Sequence, residues 1–269
     1  MARLLAFLQQ LAQIACDFLY GILPRPKPSQ SDLLDCKIIS HRGEHDNRCI
    51  FENTLTAFDL AVQAGAWGIE FDIRCDQNGI PLVIHDDNCR RVFGRHQPVS
   101  KVTLCHLRAD FPDIPTLSEV LDRYNGQIHF MIEIKPIPTH LMSVFTENLN
   151  TILSAFEPGV DYHVLALESE LFELANFVPK SARLPVAELN LNRLANQAIE
   201  EGFAGISGHY LLLNKTRIRS FQHRGQKIGT GFARNRFTFY REISRRVDWI
   251  FTNHAVKLCR LRQGLIEKK

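Results

Sequence analysis

Seven cysteines are scattered through the 269 residues, and no two of them form a C-x-x-C pair. The odd count and the missing pairs argue against a disulfide framework and against a cysteine-ligated zinc site. Unpaired thiols in this number suit a reducing compartment. A dominant charge is also missing. The formal net charge is only +3 and no dense basic block occurs, which disfavours a nucleic-acid partner. A long clean apolar run is missing too. The stretch Leu4 to Leu23 is apolar, but Gln9, Gln10, Gln13 and Asp17 interrupt it, so it fits neither a cleavable secretory signal nor a transmembrane span. No internal repeat or low-complexity tract gives a sign of a repeat architecture.

What is present is a globular composition, 45% hydrophobic and 23% charged, at a length that suits one β/α barrel with a short extension. Residues 1–35 read as their own unit. A helix is predicted from Arg3 to Tyr20, stopped by Gly21. Pro24, Pro26 and Pro28 then predict a stiff extended linker ending in Ser29-Gln30-Ser31. On a helical wheel the polar residues Gln9, Gln10, Gln13 and Asp17 share one side. Leu4, Leu8, Leu11, Ala15, Phe18, Leu19 and Ile22 share the other. Such a helix belongs in an interface. Two docking places fit it: a membrane surface, contacted peripherally through residues 3–23, or the N-terminal end of the barrel.

From residue 36 to 269 short apolar runs alternate with helical patterns, which predicts a parallel sheet covered by helices, closed as a TIM-type (β/α)8 barrel. Nine strand candidates compete for eight barrel positions: Lys37–Ser40, Gly68–Ile73, Leu82–His85, Ile128–Ile134, Tyr162–Ala166, Arg183–Val186, Ala204–Ser207, Lys227–Gly231 and Trp249–Thr252. The sequence does not say which one is surplus. Helices are predicted at Thr54–Ala64, Leu117–Tyr124, His140–Phe156, Ser169–Phe177, Leu191–Glu200 and Leu213–His223.

Four polar clusters stand at the ends of predicted strands: His41-Arg42-Gly43, Glu70-Phe71-Asp72, His85-Asp86 and Glu133-Ile134-Lys135. Functional residues of parallel barrels gather there, because the loops after the strands ring one mouth. Glu70 and Asp72 are two apart and face the same way on a strand, as do Glu133 and Lys135. Three carboxylates without clustered cysteines describe a hard, oxygen-ligated cation such as Ca²⁺ or Mg²⁺. His41 and His85 supply groups that titrate near neutrality, and Arg42 and Lys135 supply positive charge suited to phosphate. Together these parts read as phosphoester cleavage. The stretch Ile73–Ile84 holds Asn78-Gly79 and Pro81 and leaves no room for a crossover helix. About eight extended residues cover roughly 26 Å, enough for the chain to return to the bottom of the barrel and climb again. His45, His96, His106, His129, His163, His209, His223 and His254 read as structural, the cysteines as small buried hydrophobes, and Asn53-Thr54 as a helix N-cap signal.

In order along the chain, His41-Arg42-Gly43, Glu52-Asn53-Thr54, Ala64-Gly65-Ala66, Ile69-Glu70-Phe71-Asp72, Asn78-Gly79-Ile80-Pro81, His85-Asp86, Ile114-Pro115-Thr116-Leu117 and Glu133-Ile134-Lys135 resemble the glycerophosphodiester phosphodiesterase family. The resemblance implies a distorted barrel, a divalent cation, and hydrolysis of glycerophosphodiesters to an alcohol and glycerol phosphate. It also implies Glu70, Asp72 and Glu133 as metal ligands, His41 and His85 as the acid–base pair, and Arg42 and Lys135 as phosphate contacts. The second half departs from the family pattern. The usual Trp-Thr-Val-Asn strand end is replaced by the segment from Gly229 to Asn235, the usual Thr-Asp by Thr252-Asn253, and Phe51 stands where proline is common. These departures bear on substrate choice. The leading expectation is a phosphodiesterase acting on water-soluble glycerophosphodiesters, attached peripherally on the cytoplasmic side of a membrane. A second reading is lysophospholipase D-type cleavage of lysophospholipids, served by an apolar rim of Phe51, Phe93, Phe111 and Phe232. A third, motivated by Phe232 and Asn253, is a catalytically weakened barrel that binds a phosphorylated ligand as a sensor.

Overall fold

Strand β2 (Gly68–Cys75) is buried at every position except Arg74, as a strand covered on both faces must be. In the computed structural model, which describes residues 20–267, it belongs to a closed barrel of eight parallel strands. The others are β1 (Lys37–His41), β4 (His129–Ile134), β5 (Tyr162–Ala166), β6 (Arg183–Ala187), β7 (Gly205–His209), β8 (Lys227–Gly231) and β9 (Trp249–Thr252). β1 closes the ring by pairing with both β2 and β9. The TIM-type architecture expected from the β-α alternation is therefore the one observed.

The surplus strand is β3 (Pro81–Val83), and its path corrects the sequence expectation. It pairs antiparallel with the end of β2, Ile73 opposite Val83 and Cys75 opposite Pro81. The chain does not return to the bottom and climb again. β2 overshoots the mouth, turns through Asp76–Ile80 and comes back down. Buried Asp76 makes that turn: one carboxylate oxygen accepts from the Asn78 and Ile80 amides at 2.8 and 2.9 Å, and the other from the Leu104 amide at 2.9 Å. The Ile84 amide then donates to the Asp72 carbonyl at 2.9 Å, so His85 arrives at the level of Asp72 from the opposite direction. Residues 86–116 continue as a small excursion with an apolar core of Leu82, Ile84, Val99, Leu107, Phe111 and Ile114.

Helices Leu55–Gln63, Leu117–Tyr124, Met142–Leu153, Leu191–Glu200, Lys215–Gln222, Arg236–Ser244 and Ala255–Ile266 lie among the elements that follow the strands. The segment Ser169–Ala175 is 3₁₀ rather than α. Arg236–Ser244 was not expected as a helix, because Phe237, Thr238, Phe239 and Tyr240 are weak helix formers. It is fixed instead by a capping box, in which Asn235 and Thr238 satisfy each other's backbone. The predicted amphipathic helix lies outside the described residues up to residue 19. Tyr20, its last predicted residue, packs its ring 6.0 Å from that of Tyr210, and Gly21 and Ile22 are still helical, so Gly21 does not stop the helix. Gln30–Asp35 is a short helix capped by Ser29. Its Leu33 is buried with Ile38, Leu258 and Cys259, so barrel packing begins inside the segment read as linker. No helix among the described residues is long and apolar enough to cross a membrane.

Side-chain alternation divides the barrel into an outer and an inner core. Ile69, Phe71 and Ile73 of β2 and Phe130, Ile132 and Ile134 of β4 join the large cluster beneath the helices. The intervening residues point into the barrel. Ile39, Met131, Leu165, Leu184, Trp249 and Phe251 form an inner apolar plug. Two residues further along the same strands, His41 follows Ile39 and Glu133 follows Met131, so the polar layer rests on that plug.

Candidate active site

Three inward carboxylates form the centre of the polar layer. Oxygens of Glu70, Asp72 and Glu133 all lie within 4.8 Å of one another, and all three side chains are buried. Neighbouring cations partly compensate them. Arg42 Nε lies 3.1 Å from Asp72 Oδ2, and Lys135 Nζ lies 2.9 Å from Asp72 Oδ1. Lys135 also donates to Glu133 in a short contact. Burial, with the charges of Asp72 and Glu133, pushes the Glu70 carboxyl well above the usual range. Burial and Asp72 likewise raise Glu133. Burial works upward on Asp72 as well, but Arg42 and Lys135 outweigh it and hold Asp72 ionised.

These carboxylates fit a divalent cation. Glu70 Oε1 is buried with no hydrogen-bond partner among the described residues, a costly state for an acceptor. Counting only these five groups, with all three carboxylates ionised as ligands to a cation would be, three carboxylates and two cations leave one net negative charge. A divalent cation would turn that into one net positive charge, which a phosphodiester monoanion would cancel.

The two histidines are held by different partners. His41 Nδ1 lies 2.6 Å from Asn253 Oδ1, and its Nε2 lies 3.6 Å from Glu70 Oε2. Burial, helped by Arg42, depresses His41 to about 3 and keeps it neutral. His85 Nδ1 lies 2.6 Å from Asp86 Oδ1, whose other oxygen accepts from Arg91 Nε at 2.6 Å. Arg91 in turn grips Glu52 with two bonds of 2.9 and 2.6 Å, and Glu52 also accepts from Arg42 at 2.9 Å. A continuous chain of charged contacts thus runs from His85 to Asp72, its last link, Arg42 to Asp72, being an ion pair.

The turn after β1 is shaped for this purpose. Arg42 adopts a left-handed φ of 58°, an unfavourable conformation for a bulky residue. Its amide donates to the Glu70 carbonyl at 2.7 Å, and its carbonyl accepts from the Asn53 amide at 2.9 Å. Gly43 follows at φ 78°, where an added Cβ would stand 2.6 Å from Ala57 Cβ and 2.8 Å from the Ala57 carbonyl carbon. Gly43→Ala is therefore expected to cost about 1–3 kcal/mol, measured by urea unfolding. A loss below about 0.5 kcal/mol would mean that the turn relaxes freely around the methyl group.

His41, Arg42, Glu70, His85, Glu133 and Lys135 all line one cavity of about 820 Å³, and Asp72 lies just beneath, in contact with Arg42 and Lys135. All seven residues singled out in the sequence therefore meet at one mouth. Four supporting residues have no catalytic or binding role assigned from the sequence: Arg91, Glu52 and Asp86, the last two present there only as motif members, and Asn253, present only as a departure from the family pattern. Asn53 was read as part of an N-cap. The cap is Thr54, whose hydroxyl accepts from the Ala57 amide, while Asn53 donates to Asp72 Oδ2 at 2.9 Å. Its left-handed φ of 59° turns it towards the site. His209, read as structural, also lines the cavity. The expected phenylalanine rim does not form. Phe93 packs against Phe51 at 5.2 Å and Phe111 at 5.4 Å, and of the four expected residues only Phe232 lines the cavity, 4.8 Å edge-on to His41.

Comparison with known proteins gives the family. The sequence model described as the glycerophosphoryl diester phosphodiesterase family matches residues 41–257. YhdW of Bacillus subtilis (strain 168) is 27% identical over 240 residues, covering 81% of this chain and 94% of that protein. Mouse glycerophosphodiester phosphodiesterase 1 is 28% identical over 169 residues, covering 53% of this chain and only 49% of the mouse protein. Among solved structures, a phosphodiesterase from Oleispira antarctica in complex with the product sn-glycerol-3-phosphate superimposes with a TM-score of 0.69 at 20% identity, covering 86% of this chain and 97% of that one. At that identity the likeness is one of fold.

Proposed function

This chain belongs to the glycerophosphoryl diester phosphodiesterase family and is a phosphoric diester hydrolase, and from that premise we propose that it cleaves glycerophosphodiesters to an alcohol and glycerol phosphate with a divalent cation and a histidine pair. The observation that carries this reading is the convergence of three buried carboxylates beneath His41 and His85 at one cavity. The product in the Oleispira antarctica structure is what such a reaction leaves.

Glu70, Asp72 and Glu133 would hold the cation, Ca²⁺ or Mg²⁺ by their all-oxygen chemistry. When bound, it supplies positive charge against the charge that develops on phosphate. The chain's own residues do the rest. Arg42 and Lys135 attract and orient the phosphodiester. One histidine removes a proton from the attacking hydroxyl, and the other delivers one to the departing alcohol oxygen. Since one ring must be neutral and the other protonated, kcat should pass through a maximum with pH. Asn253 and Asp86 orient the two rings through Nδ1, leaving each Nε2 for chemistry. The sensor reading has no support in the site, because every group of this scheme is present.

The decisive assay measures glycerol phosphate released from glycerophosphocholine and glycerophosphoethanolamine. Absence of product from both, with either cation supplied, would overturn the proposal. A sharper test concerns Arg42, whose planar fork spans Glu52 and Asp72. Lysine keeps the charge but offers no two-point contact. Arg42→Lys should lower kcat/KM by about tenfold or more, since one charge-assisted bond is worth over 1.4 kcal/mol. Wild-type values of both constants would reduce Arg42 to a diffuse charge.

A further inference from the structure

Beneath the apolar plug, at the end of the barrel away from the mouth, lies a second polar layer. Lys37, Lys227 and Trp249 are the first residues of β1, β8 and β9, and His163 is the second of β5. Lys37 and His163 share the inward face with Ile39 and Leu165 of the plug, two residues further on. These side chains, with Trp67 and Arg224, line a cavity of about 630 Å³, and no carboxylate is among its lining residues. Lys227 is paired with Asp248 at 3.0 Å. Lys37 and Arg224 form no ion pair among the described residues: Lys37 Nζ stands 4.6 Å over the Trp67 ring, and Arg224 donates to Ser220 alone. The cavity therefore carries a surplus of positive charge.

Its hydrogen-bonding groups are only partly used. His129 Nδ1 lies 2.8 Å from the Val160 carbonyl, which only accepts, so Nδ1 carries the proton of that ring. His129 Nε2, 2.8 Å from His163 Nδ1, is then the acceptor, and His163 donates through Nδ1. Burial above all holds both rings neutral. His163 Nε2 is thus an acceptor, with no hydrogen-bond partner among the described residues. In the same wall Trp249 Nε1 is a buried donor without a partner, and Gln226 Oε1 a buried acceptor without one. Groups left in this state are costly. Unpaired cations, a spare donor and two spare acceptors match a ligand that joins an anion to hydroxyl groups.

We propose that this second cavity binds a small hydroxylated phosphate monoester, the class to which glycerol phosphate belongs. The phosphate sits among Lys37, Arg224 and Lys227, whose side chains suit it, with the Trp249 indole N–H as a further donor. The ligand's hydroxyls donate to His163 Nε2 and Gln226 Oε1. The volume is within the range of small-molecule sites. The plug separates this cavity from the mouth, and binding in it requires no turnover there.

The chain has two tryptophans, Trp67 and Trp249, and both line this cavity, so tryptophan emission reports on it rather than on the mouth. Titrating the full chain with glycerol phosphate in excess chelator should change that emission saturably, with a Kd below about 1 mM. Inorganic phosphate and ethyl phosphate, which carry no alcohol group, should bind about fivefold more weakly, the loss of one neutral hydrogen bond. The double variant Lys37→Gln/Arg224→Gln changes two side chains that are not buried and should weaken binding at least about tenfold. Asp72→Asn, at the mouth, should leave the titration as it is. An undiminished response in the double variant, or loss of the response in Asp72→Asn, overturns the site. Equal affinity for all three phosphates refutes the hydroxyl contacts. Should the emission not move, calorimetry decides: one more glycerol phosphate site in the wild-type chain than in the double variant upholds the proposal, and equal numbers refute it.

Discussion

Asp72→Asn should lower kcat by about 10³-fold, the scale of losing one electrostatic stabiliser of a transition state, and excess chelator should abolish turnover of the wild-type protein. Asp72 is fully buried and sits among Arg42, Lys135 and Asn53. Asparagine keeps its shape and removes its charge. Arg42 and Lys135 then balance the two remaining carboxylates, and a divalent cation must enter a site with no net negative charge. The loss should therefore appear in cation affinity as well as in rate. Saturating Mg²⁺ or Ca²⁺ should raise the wild-type Tm by roughly 5 °C, because a ligand at about 100 times its Kd adds about 2.7 kcal/mol. The variant should show little of that rise. Full activity of dialysed wild-type protein in excess chelator would remove the cation from the mechanism altogether.

The next largest effect belongs to the histidines. His41→Ala and His85→Ala should each cost about 10² to 10⁴ in kcat, while the unfolding midpoint moves little. Neither ring belongs to the apolar core, and the His85 side chain is 31% exposed. Their partners make each ring directional. The Asn253 oxygen at 2.6 Å and the Asp86 oxygen at 2.6 Å both require a proton on Nδ1, which leaves Nε2 of each ring as the atom that takes or gives a proton. Alanine removes the proton carrier and leaves the carboxylate cluster in place, so cation-dependent thermal stabilisation should survive in both variants. Wild-type kcat in either one would make that histidine structural and dissolve the proposed pair.

Much of the site could be read from local pattern, and the reason is geometric. Glu70 and Asp72, or Met131 and Glu133, share a face because a strand alternates at every residue. That rule holds whatever the rest of the chain does. Position at a strand end likewise identified His41 and Lys135, because loops after parallel strands ring one mouth. The path to His85 was harder. A climb from the bottom and a hairpin off the end of β2 both fit the length of Ile73–Ile84, and only the ladder between Ile73 and Val83 separates them. Asn53 was masked by a genuine local signal, since its neighbour Thr54 does cap the following helix. Phe51, Phe93 and Phe111 suggested an apolar rim by composition, yet Phe51 and Phe111 both pack against Phe93 instead of lining the cavity.

The sequence by itself determined the barrel class, the polar layer and the seven residues that line or underlie the mouth, because each depends on periodicity within a few residues. Only the tertiary structure decided who holds whom. Asn253 meets His41 across 212 positions of sequence, Arg91 links Asp86 to a Glu52 that lies 39 residues earlier, and Lys37, His163 and Lys227 from separate strands meet at one cavity. Such pairings follow from the closure of β1 on β9 and from the register between strands. Closure is set by packing summed over the whole barrel, so no short stretch of sequence carries it.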